Sequence, residues 1–348
     1  MPRILLSAFG VHAGGGRVLL EALLREVRHD LKAVSLDARL RGRIDLPAVP
    51  VDYVRASLAA RWRSLHALAR RAQSGDVIFC FNGLPPLARP RGARVLVYMQ
   101  ARHLLEPDPQ LRYPLRTRVR VAIERRWLRM GLPHCDEMWV QTPSMAELVR
   151  GMHPTLSVRV VPFVDDELAQ RLASGADASP RAAAPTGEDS FFYPADGVAH
   201  KNHAVLMRAW ELLAAQGCRP VLYLTLQAAE FARLRAQRPQ AGAEASRIVN
   251  LGPLERAAVL ERLAASSALI FASTVESLGL PLLEARALGV PVLAPERDYV
   301  RDVCEPRQTF DPASPRSIAD AVRRFLSPGF RRDLPVLSAR EGARMLAE

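Results

Sequence analysis

Short apolar runs alternate with amphipathic stretches along most of the chain. The run "RILLSAF" (3–9) is typical of a buried strand, and the glycine-rich "HAGGGR" (12–17) leads into leucines at helical spacing. Further strands are predicted at "DVIFCF" (76–81), "RVLVYM" (94–99), "EMWVQ" (137–141) and "SVRVVPF" (157–163). Because these runs are continuously apolar, they predict parallel strands covered by helices on both faces.

The pattern changes between residues 165 and 190, where Ala, Ser, Pro, Gly and Asp dominate without a clear apolar period. This composition predicts an inter-domain linker. Strands and helices then resume; strands are expected at "SFFYP" (190–194), "PVLYLTL" (220–226), "RIVNL" (247–251), "ALIFAS" (268–273) and "VPVLA" (290–294). The sequence thus predicts two tandem Rossmann-like α/β domains, 1–165 and 190–326, joined by a linker over 166–189. A tail over 327–348 is expected to be helical and to pack toward the N-terminal domain.

Composition narrows the class of protein. Hydrophobic residues make up 49% and charged residues 24% of the 348 positions, an ordinary globular balance. No stretch approaches the ~20 apolar residues that span a bilayer, and the N-terminus lacks a secretory leader pattern, so a cytoplasmic location is expected. The cysteines, which are Cys80, Cys135, Cys218 and Cys304, form no CxxC pair and predict buried thiols rather than a zinc site.

The net charge of +12 favours an anionic partner: a membrane surface, a nucleic acid or a phosphorylated substrate. Seven arginines and one glutamate lie between residues 112 and 129, and a second basic stretch covers 54–71. Apolar residues fall near one helical face in each stretch, namely Leu115, Val119, Ala122, Ile123, Trp127 and Met130 in the first and Trp62, Leu65 and Leu68 in the second. These faces either pack on the sheet with the arginines in water, or bind anionic lipid. We favour a combination, in which the apolar stripe packs in the core and the arginines contact lipid.

The stretch "STVESLGLPLLEARALGVPV" (273–292) carries the sharpest chemical signal. Pro281 suits the first turn of a helix and Gly289 suits its C-terminal end. Unpaired N–H groups at such a helix start can bind a phosphate, and Gly279 permits close approach to the backbone. Glu276 and Glu284 stand eight residues apart, roughly 12 Å along a helix, so the two carboxylates could bind hydroxyls at both ends of a diphosphate ligand. Spacing alone is equally compatible with a loop acid and a solvated helix acid.

This stretch resembles the donor-binding half of retaining glycosyltransferases of family 4, which have the GT-B fold. The resemblance rests on the Glu-x7-Glu pair followed by "ALGVPV" and on the upstream "FFYPADGVAHKNHAVLMRAWELL". It implies that Glu284 binds the donor ribose and that Glu276 lies beside the transferred sugar. It also implies that Lys201 neutralises the diphosphate as the glycosidic bond breaks, a catalytic role. Backbone contacts to sugar and phosphate would come from Ser277, Leu278, Gly279 and Leu280.

One position departs from the family pattern. Many relatives carry an arginine five residues before the lysine, whereas this chain has Asp196 there. The site could lack one contact to the leaving group, and either His200 or His203 could compensate for it. Both histidines are equally compatible with capping or surface roles.

Candidates in the first half are less distinctive. Gly15 and Gly16 lie where a strand-to-helix turn faces the expected cleft and could admit donor phosphates, or they could simply form a tight turn. The family's catalytic-region histidine is replaced by Gln100, and His103 follows three residues later as the candidate. Asn82 ends another strand and is the candidate acceptor contact.

The resemblance implies transfer of a hexose, with retention of configuration, from a nucleotide-sugar to a lipid-linked or polysaccharide acceptor in cell-envelope glycan synthesis. The pattern of the "YPADGVAHKNH" loop resembles that of mannosyl-type transferases and favours GDP-mannose as the donor. No obligatory metal or other cofactor is expected. Two alternatives remain: a basic nucleic-acid- or membrane-binding protein on a Rossmann-like scaffold, and a GT-B nucleotide-sugar epimerase. No nucleic-acid-binding signature is present, so we expect no nucleic-acid partner. We expect peripheral contact with an anionic membrane at the inner face of the cell membrane.

Overall fold

A computed structural model describes residues 3–107, 114–174, 188–237 and 246–327 of the chain. It contains two α/β domains, each built on one parallel sheet. The prediction of two Rossmann-like domains is confirmed, and the expected tail over 328–348 lies outside the described residues.

The N-terminal sheet has seven strands in the order β3-β2-β1-β4-β5-β6-β7. The strands are β1 (Ile4–Ala8), β2 (Leu31–Asp37), β3 (Val51–Val54), β4 (Val77–Cys80), β5 (Arg94–Met99), β6 (Glu137–Val140) and β7 (Ser157–Val160). The helices are α1 (Gly14–Glu26), α2 (Leu58–Arg71), α3 (Arg102–Leu105), α4 (Leu115–Gly131) and α5 (Pro143–Met152). Separate apolar clusters cover the two faces of the sheet, as expected where helices lie on both sides.

The C-terminal sheet has six strands in the order β10-β9-β8-β11-β12-β13. The strands are β8 (Ser190–Tyr193), β9 (Val221–Leu224), β10 (Ile248–Asn250), β11 (Ala268–Ile270), β12 (Val292–Pro295) and β13 (Gln308–Phe310). The helices are α7 (His203–Ala215), α8 (Ala228–Ala236), α9 (Arg256–Ala264), α10 (Leu280–Ala287), α11 (Asp298–Arg301) and α12 (Pro315–Leu326). Each sheet reverses its strand order once, between β1 and β4 and between β8 and β11. Ligands bind at such switch points, beyond the carboxyl ends of the strands.

Three strands were not predicted from the apolar pattern: β2, β3 and β13. In β2 polar residues interrupt the apolar run, yet most of the strand is buried. Its Ser35 is fully buried and hydrogen-bonds Ser64 of α2. A buried polar pair of this kind is stabilised by a partner distant in sequence, so local hydropathy does not reveal the strand.

The first residues of the predicted linker are helical rather than irregular. Asp166–Ala173 forms a helix, α6, and the Asp165 carboxylate accepts a hydrogen bond from the N–H of Leu168 at 3.1 Å. Leu168 is buried in the apolar cluster of the C-terminal domain. One buried leucine in eight residues is too weak a period to mark a helix from sequence. Residues 175–187 of the predicted linker lie outside the described residues.

Helix α4 is rotated relative to the expected packing. Leu115, Val119, Ile123 and Met130 are 73%, 51%, 45% and 52% exposed, so the prediction of core packing is wrong for these four residues, whereas Trp127 of the same stripe is buried as expected. The opposite face is buried, and a Cβ on Gly131 would lie 2.5 Å from Pro85 Cγ. The close approach at Gly131 fixes which face turns inward. In α2, Leu65 and Leu68 are buried as expected, whereas Trp62 is 45% exposed.

Cys80 and Cys135 are buried, and Cys218 and Cys304 are partly exposed; all four are free thiols. Burial raises the pKa of Cys80 and Cys135, so both are protonated at neutral pH. None of the helices in the described ranges is long and apolar enough to cross a membrane.

Candidate active site

A cavity of about 460 Å³ lies between the two domains, next to both strand-order switch points. Gly15 and Gly16 follow β1, and Asn82 follows β4. Lys201 follows β8, and Glu276 follows β11. All five residues line this cavity, so the parallel topology brings them together from positions up to 261 residues apart.

Two helix starts meet across the cavity. The predicted glycine turn is helical, since Gly14 to Gly16 form the first turn of α1. A Cβ on Gly15 would lie 3.7 Å from Leu280, the first residue of α10. Because the first N–H groups of a helix have no intrahelical partner, donors from both domains face the same space.

The start and end of α10 follow the predicted signals. Gly279 caps the helix with a φ of +70°, and Pro281 lies in the first turn. At the other end Gly289 has a φ of +64°. Its N–H donates a hydrogen bond to the carbonyl of Arg286 at 3.2 Å, and the N–H of Val290 donates one to the carbonyl of Ala285 at 2.9 Å. This pair of bonds is a Schellman motif. The helix is therefore fixed at both ends, and Ser277 to Leu280 line the cavity at its start.

Hydrogen bonds fasten the loop of Lys201 to the loop after β11. Tyr193 donates its hydroxyl proton to the carbonyl of Lys201 at 2.8 Å, and the N–H of Thr274 donates to the carbonyl of His200 at 2.8 Å. Asn202 adopts a φ of +60° and donates its side-chain amide to the carbonyl of Pro312 at 2.7 Å. The backbone that carries Lys201 is thus held rigidly beside Glu276.

Lys201 and Glu276 form an ion pair, with 2.6 Å between Nζ and Oε1. The side chains are 19% and 13% exposed. Burial tends to raise the pKa of Glu276, but the charges of Lys201 and His200 and the bonds to Lys201 and Ser273 lower it overall. Glu276 is therefore ionised at neutral pH. Its carboxylate can accept hydrogen bonds from hydroxyl groups, and the ammonium group of Lys201 can bind an anion.

Composition also singles out Lys201. Lys32 and Lys201 are the two lysines among the chain's 48 basic residues. Lys32 pairs with Asp76 at 2.7 Å in the N-terminal domain. In a chain that otherwise uses arginine, a lysine in the cavity indicates a need for a compact charge that arginine does not meet.

His103 lies on α3 and lines the cavity, as does Gln100. Burial and the charges of His200, Arg120 and Arg125 lower the pKa of His103 to about 4. The imidazole is therefore neutral at physiological pH and can donate or accept a hydrogen bond.

His200 lines the cavity, but His203 does not take part in it. His203 is 4% exposed and packs on the ring of Tyr193 at 5.0 Å between centroids. Its pKa falls to about 3, chiefly because it is buried. Asp196 is exposed and is absent from the described lining of the cavity. The negative charge of Asp196 therefore lies outside the space where Lys201 and Glu276 meet.

Glu284 lines a different cavity from Glu276. This smaller cavity, of about 220 Å³, lies between α6, α9 and α10. Arg256 reaches Glu284 at 3.4 Å and Asp165 at 2.7 Å. Burial raises the pKa of Glu284 to about 7, although Arg256 opposes the shift and Asp165 adds to it. The two predicted carboxylates thus lie in separate spaces and differ in protonation.

Sequence reasoning missed the charged residues and one amide on the N-terminal wall of the larger cavity, which are Arg61, Arg102, Arg120, Glu124 and Gln141. Arg61 donates to Glu124 at 2.6 Å, and both side chains are nearly buried. The one glutamate among seven arginines was a signal in the sequence, since a lone acid in a basic helix often has a buried partner.

No group of three or more His, Cys, Asp or Glu suited to a metal ion occurs within residues 3–107, 114–174, 188–237 and 246–327.

Residues 176–335 match the family model for glycosyl transferases group 1. No curated protein matches the chain in sequence. Solved structures resemble it over most of its length. They include HepE from Anabaena in complex with UDP and glucose, with 15% identity, 94% of this chain and 90% of that chain covered, and a TM-score of 0.64.

Sucrose-phosphate synthase from Thermosynechococcus elongatus has 17% identity, 94% and 90% coverage of this chain and of that one, and a TM-score of 0.65. The lipopolysaccharide outer core galactosyltransferase WaaB has 13% identity, 95% and 92% coverage, and a TM-score of 0.60. The chain therefore has the GT-B fold, and its family match supports a glycosyltransferase.

Proposed function

We propose that the chain is a retaining glycosyltransferase that moves a hexose from a nucleotide-sugar to a lipid-linked or polysaccharide acceptor in cell-envelope glycan synthesis. The observation that carries the proposal is the Lys201–Glu276 pair, which lies at the switch point of the C-terminal sheet and lines the same cavity as two helix starts. In this proposal the C-terminal domain binds the donor and the N-terminal domain binds the acceptor.

The donor would replace the internal ion pair with its own charges. Its diphosphate would lie against Lys201 and the first N–H groups of α10, while its sugar hydroxyls would donate to Glu276. The ribose would reach Glu284 in the smaller cavity, where the carboxylate, ionised above its pKa of about 7, would accept hydrogen bonds from the ribose hydroxyls. Lys201 stabilises the departing nucleotide more than the bound donor, because charge grows on the diphosphate as the bond breaks.

The reaction forms one bond and breaks one bond at the anomeric carbon. An acceptor hydroxyl oxygen bonds to that carbon while the bond to the diphosphate oxygen breaks, and the nucleoside diphosphate leaves with the electron pair. The hydroxyl proton passes to the departing phosphate on the same face, which retains the configuration. Neutral His103 can orient the hydroxyl by a hydrogen bond.

GDP-mannose is the donor we propose first, on the pattern of the "YPADGVAHKNH" loop. UDP-glucose is the second candidate, since HepE was solved with UDP and glucose. A thermal-shift screen with UDP-, GDP-, ADP- and CMP-sugars separates them, because a ligand at ~100 times its Kd stabilises the fold by about 2.7 kcal/mol.

The same screen tests the ribose contact. Glu284→Ala should weaken donor binding by about 1.5–3 kcal/mol, the contribution of a hydrogen bond to a charged group. Glu261→Ala is the matched control, since Glu261 lines the same small cavity but is exposed. No shift with any nucleotide-sugar would contradict the proposed function, and equal shifts in both variants would remove Glu284 from the site. The configuration of the product, read by NMR, tests retention.

Chemical labelling measures directly whether the donor covers the ammonium group of Lys201. An amine-directed reagent followed by peptide mapping reports on Lys32 and Lys201 separately. The donor should slow labelling of Lys201 and leave Lys32 unchanged, because Lys32 lies in the other domain. Equal protection of both lysines would argue against a diphosphate at Lys201.

We also propose that α4 binds an anionic membrane surface. Its exposed stripe of Leu115, Val119, Ile123 and Met130 occupies roughly 100° of the helix. Exposed arginines flank this stripe on both sides and form no ion pair with a described acid; they are Arg116, Arg118, Arg126 and Arg129. An apolar stripe bordered by unpaired cations is typical of interfacial helices.

Co-sedimentation with vesicles of phosphatidylglycerol and phosphatidylcholine tests the membrane surface. Replacing the four flanking arginines with glutamine should lower binding in low salt by about 1 kcal/mol per charge. The control removes the same charge from the C-terminal domain through glutamine at Arg208, Arg219, Arg233 and Arg316, which are exposed there. Equal binding by both variants would rule out this role for α4.

A further inference from the structure

The N-terminal wall of the larger cavity carries charge that the donor does not use. Arg61, Arg102, Arg120 and Glu124 line this wall. Arg102 is already engaged, because it donates to Ser144 at 2.7 Å and lies 4.0 Å from Asp298 of the other domain. Arg61 and Arg120 therefore decide what the wall can bind.

Arg61 is held by one nitrogen only. Its side chain is 11% exposed, and its Nη1 donates to Glu124 at 2.6 Å. The buried Nε has no hydrogen-bond partner, and Nη2 faces Gly10, where a Cβ would approach it to 3.3 Å. Glu124 thus fixes the orientation of the guanidinium group and leaves a pair of its donors unused. That geometry suits bidentate binding of a phosphate or carboxylate.

Two further buried polar atoms line the same cavity without a partner. They are Nδ2 of Asn82 and Oε1 of Gln141, and Gln141 is 3% exposed. The Oδ1 of Asn82 accepts from the N–H of Leu84 at 3.4 Å, which fixes the direction of its Nδ2. Buried polar groups in folded proteins are nearly always paired, so these atoms indicate a polar ligand.

Arg120 adds a second cation at the rim of the same wall. It lies on α4, one turn before Glu124, and it is exposed. Its side chain lines the same cavity as His103, and its charge helps to lower the pKa of His103. Among the described residues it forms no ion pair, in contrast to Arg61 and Arg102.

We infer that the acceptor is an anionic sugar, whose phosphate or carboxylate binds Arg61 and Arg120 while its hydroxyls bind Asn82 and Gln141. This inference rests on the proposed function and names the class of its acceptor. Glu124 acts as a positioning residue that holds Arg61. The anion can belong to a soluble sugar phosphate or to the phosphate of a lipid-linked sugar.

Transfer assays with matched acceptor pairs test the inference. Hexoses, hexose 6-phosphates and hexuronic acids are offered in solution, and a polyprenyl diphosphate-linked hexose is offered in vesicles, each with the donor found by the screen. Phosphorylated or carboxylated acceptors should exceed their neutral counterparts by at least about tenfold in kcat/KM. Reaction in solution alone identifies a sugar phosphate or uronate, and reaction in vesicles alone identifies a lipid-linked phosphate. A preference for neutral hexoses would overturn the inference.

Arg120→Gln isolates the second cation without leaving a buried acid unpaired. It should raise the KM for the anionic acceptor by about tenfold, with little change in kcat. Arg208→Gln is the control, since Arg208 is exposed in the C-terminal domain and is not among the described lining of the cavity. Arg120→Lys should restore part of the loss. Equal KM values in the two glutamine variants would refute the role of Arg120.

Donor hydrolysis keeps this test separate from that of the proposed function. Wild type and the Arg208→Gln control should release nucleotide from the donor in water at the same rate. Calorimetry with nucleoside diphosphate and each hexose 6-phosphate provides a readout without turnover. If donor binding is normal but no hexose 6-phosphate or hexuronic acid binds at millimolar concentration and the lipid-linked hexose does not react in vesicles, the anionic-acceptor inference fails and the donor assignment stands.

Discussion

The raised pKa of Glu284 makes stability depend on pH in a direction that one substitution can remove. Glu284 is 4% exposed and shares Arg256 with Asp165, so its carboxylate is only partly compensated. In the unfolded chain the group titrates near 4.5, and in the folded protein near 7. Between these values the folded state retains a proton that the unfolded state has released, so stability falls as pH rises through this window.

The magnitude follows from the two pKa values. At 1.36 kcal/mol for each pKa unit, this group costs about 2–3 kcal/mol more at pH 8 than at pH 5. Glu284→Gln removes the titration and keeps the shape of the side chain. The melting temperature of the variant relative to wild type should therefore be higher at pH 8 than at pH 5 by roughly 5–10 °C for a domain of this size.

Thermal melts followed by circular dichroism at pH 5 and pH 8 measure this difference, and any constant effect of the amide cancels between the two conditions. Glu261→Gln is the control, because Glu261 lines the same cavity but is exposed. If Glu284→Gln changes the melting temperature equally at both pH values, Glu284 does not titrate near 7 and the account of the buried cluster is wrong.

Three further predictions concern the frame of the site. Gly279→Ala should lower the free energy of unfolding by about 1–2 kcal/mol for its left-handed φ, and further because the new Cβ would lie 2.9 Å from Leu282. Gly217→Ala is the control, because it has the same backbone strain and no neighbour within 4 Å; equal losses of stability in thermal melts would exclude a role for the contact with Leu282. Trp127→Phe should cost about 1–3 kcal/mol by chemical denaturation, because the buried carbonyl of Pro85 loses its donor at 2.7 Å; a neutral effect would contradict this. Dialysis against EDTA should leave transfer intact, since Lys201 and a helix start supply the positive charge at the diphosphate; loss of activity restored by Mg²⁺ would refute it.

Much of the fold was predictable because local rules specify it. The parallel strands β1, β4 and β5 read as continuous apolar runs, since both of their faces are covered. Pro281 and Gly289 mark the first turn and the end of α10, because each residue has the backbone preference that its position requires. The glycines, Asn82, His103, Lys201 and Glu276 were candidates from motif and strand position, and they meet around one cavity.

Other features depend on contacts between distant segments. Local periodicity predicts a stripe on α4 but cannot say which way it faces. Gly131 against Pro85 and the Arg61–Glu124 pair turn the face of Glu124 and Trp127 inward and leave Leu115 exposed. Both contacts join segments more than 40 residues apart.

The sequence alone sufficed to predict most of the strands, the ends of α10 and the identity of the chemical groups, because these follow from side-chain preferences over a few residues. Only the tertiary structure decided that Lys201 pairs with Glu276 while Glu284 faces a separate cavity beside Arg256. Eight residues of spacing fix the path of the backbone but not the space that each carboxylate enters. The packing of α6, α9 and α10 buries Glu284 and raises its pKa, whereas the burial of Glu276 is outweighed by the charges of Lys201 and His200, which lower its pKa.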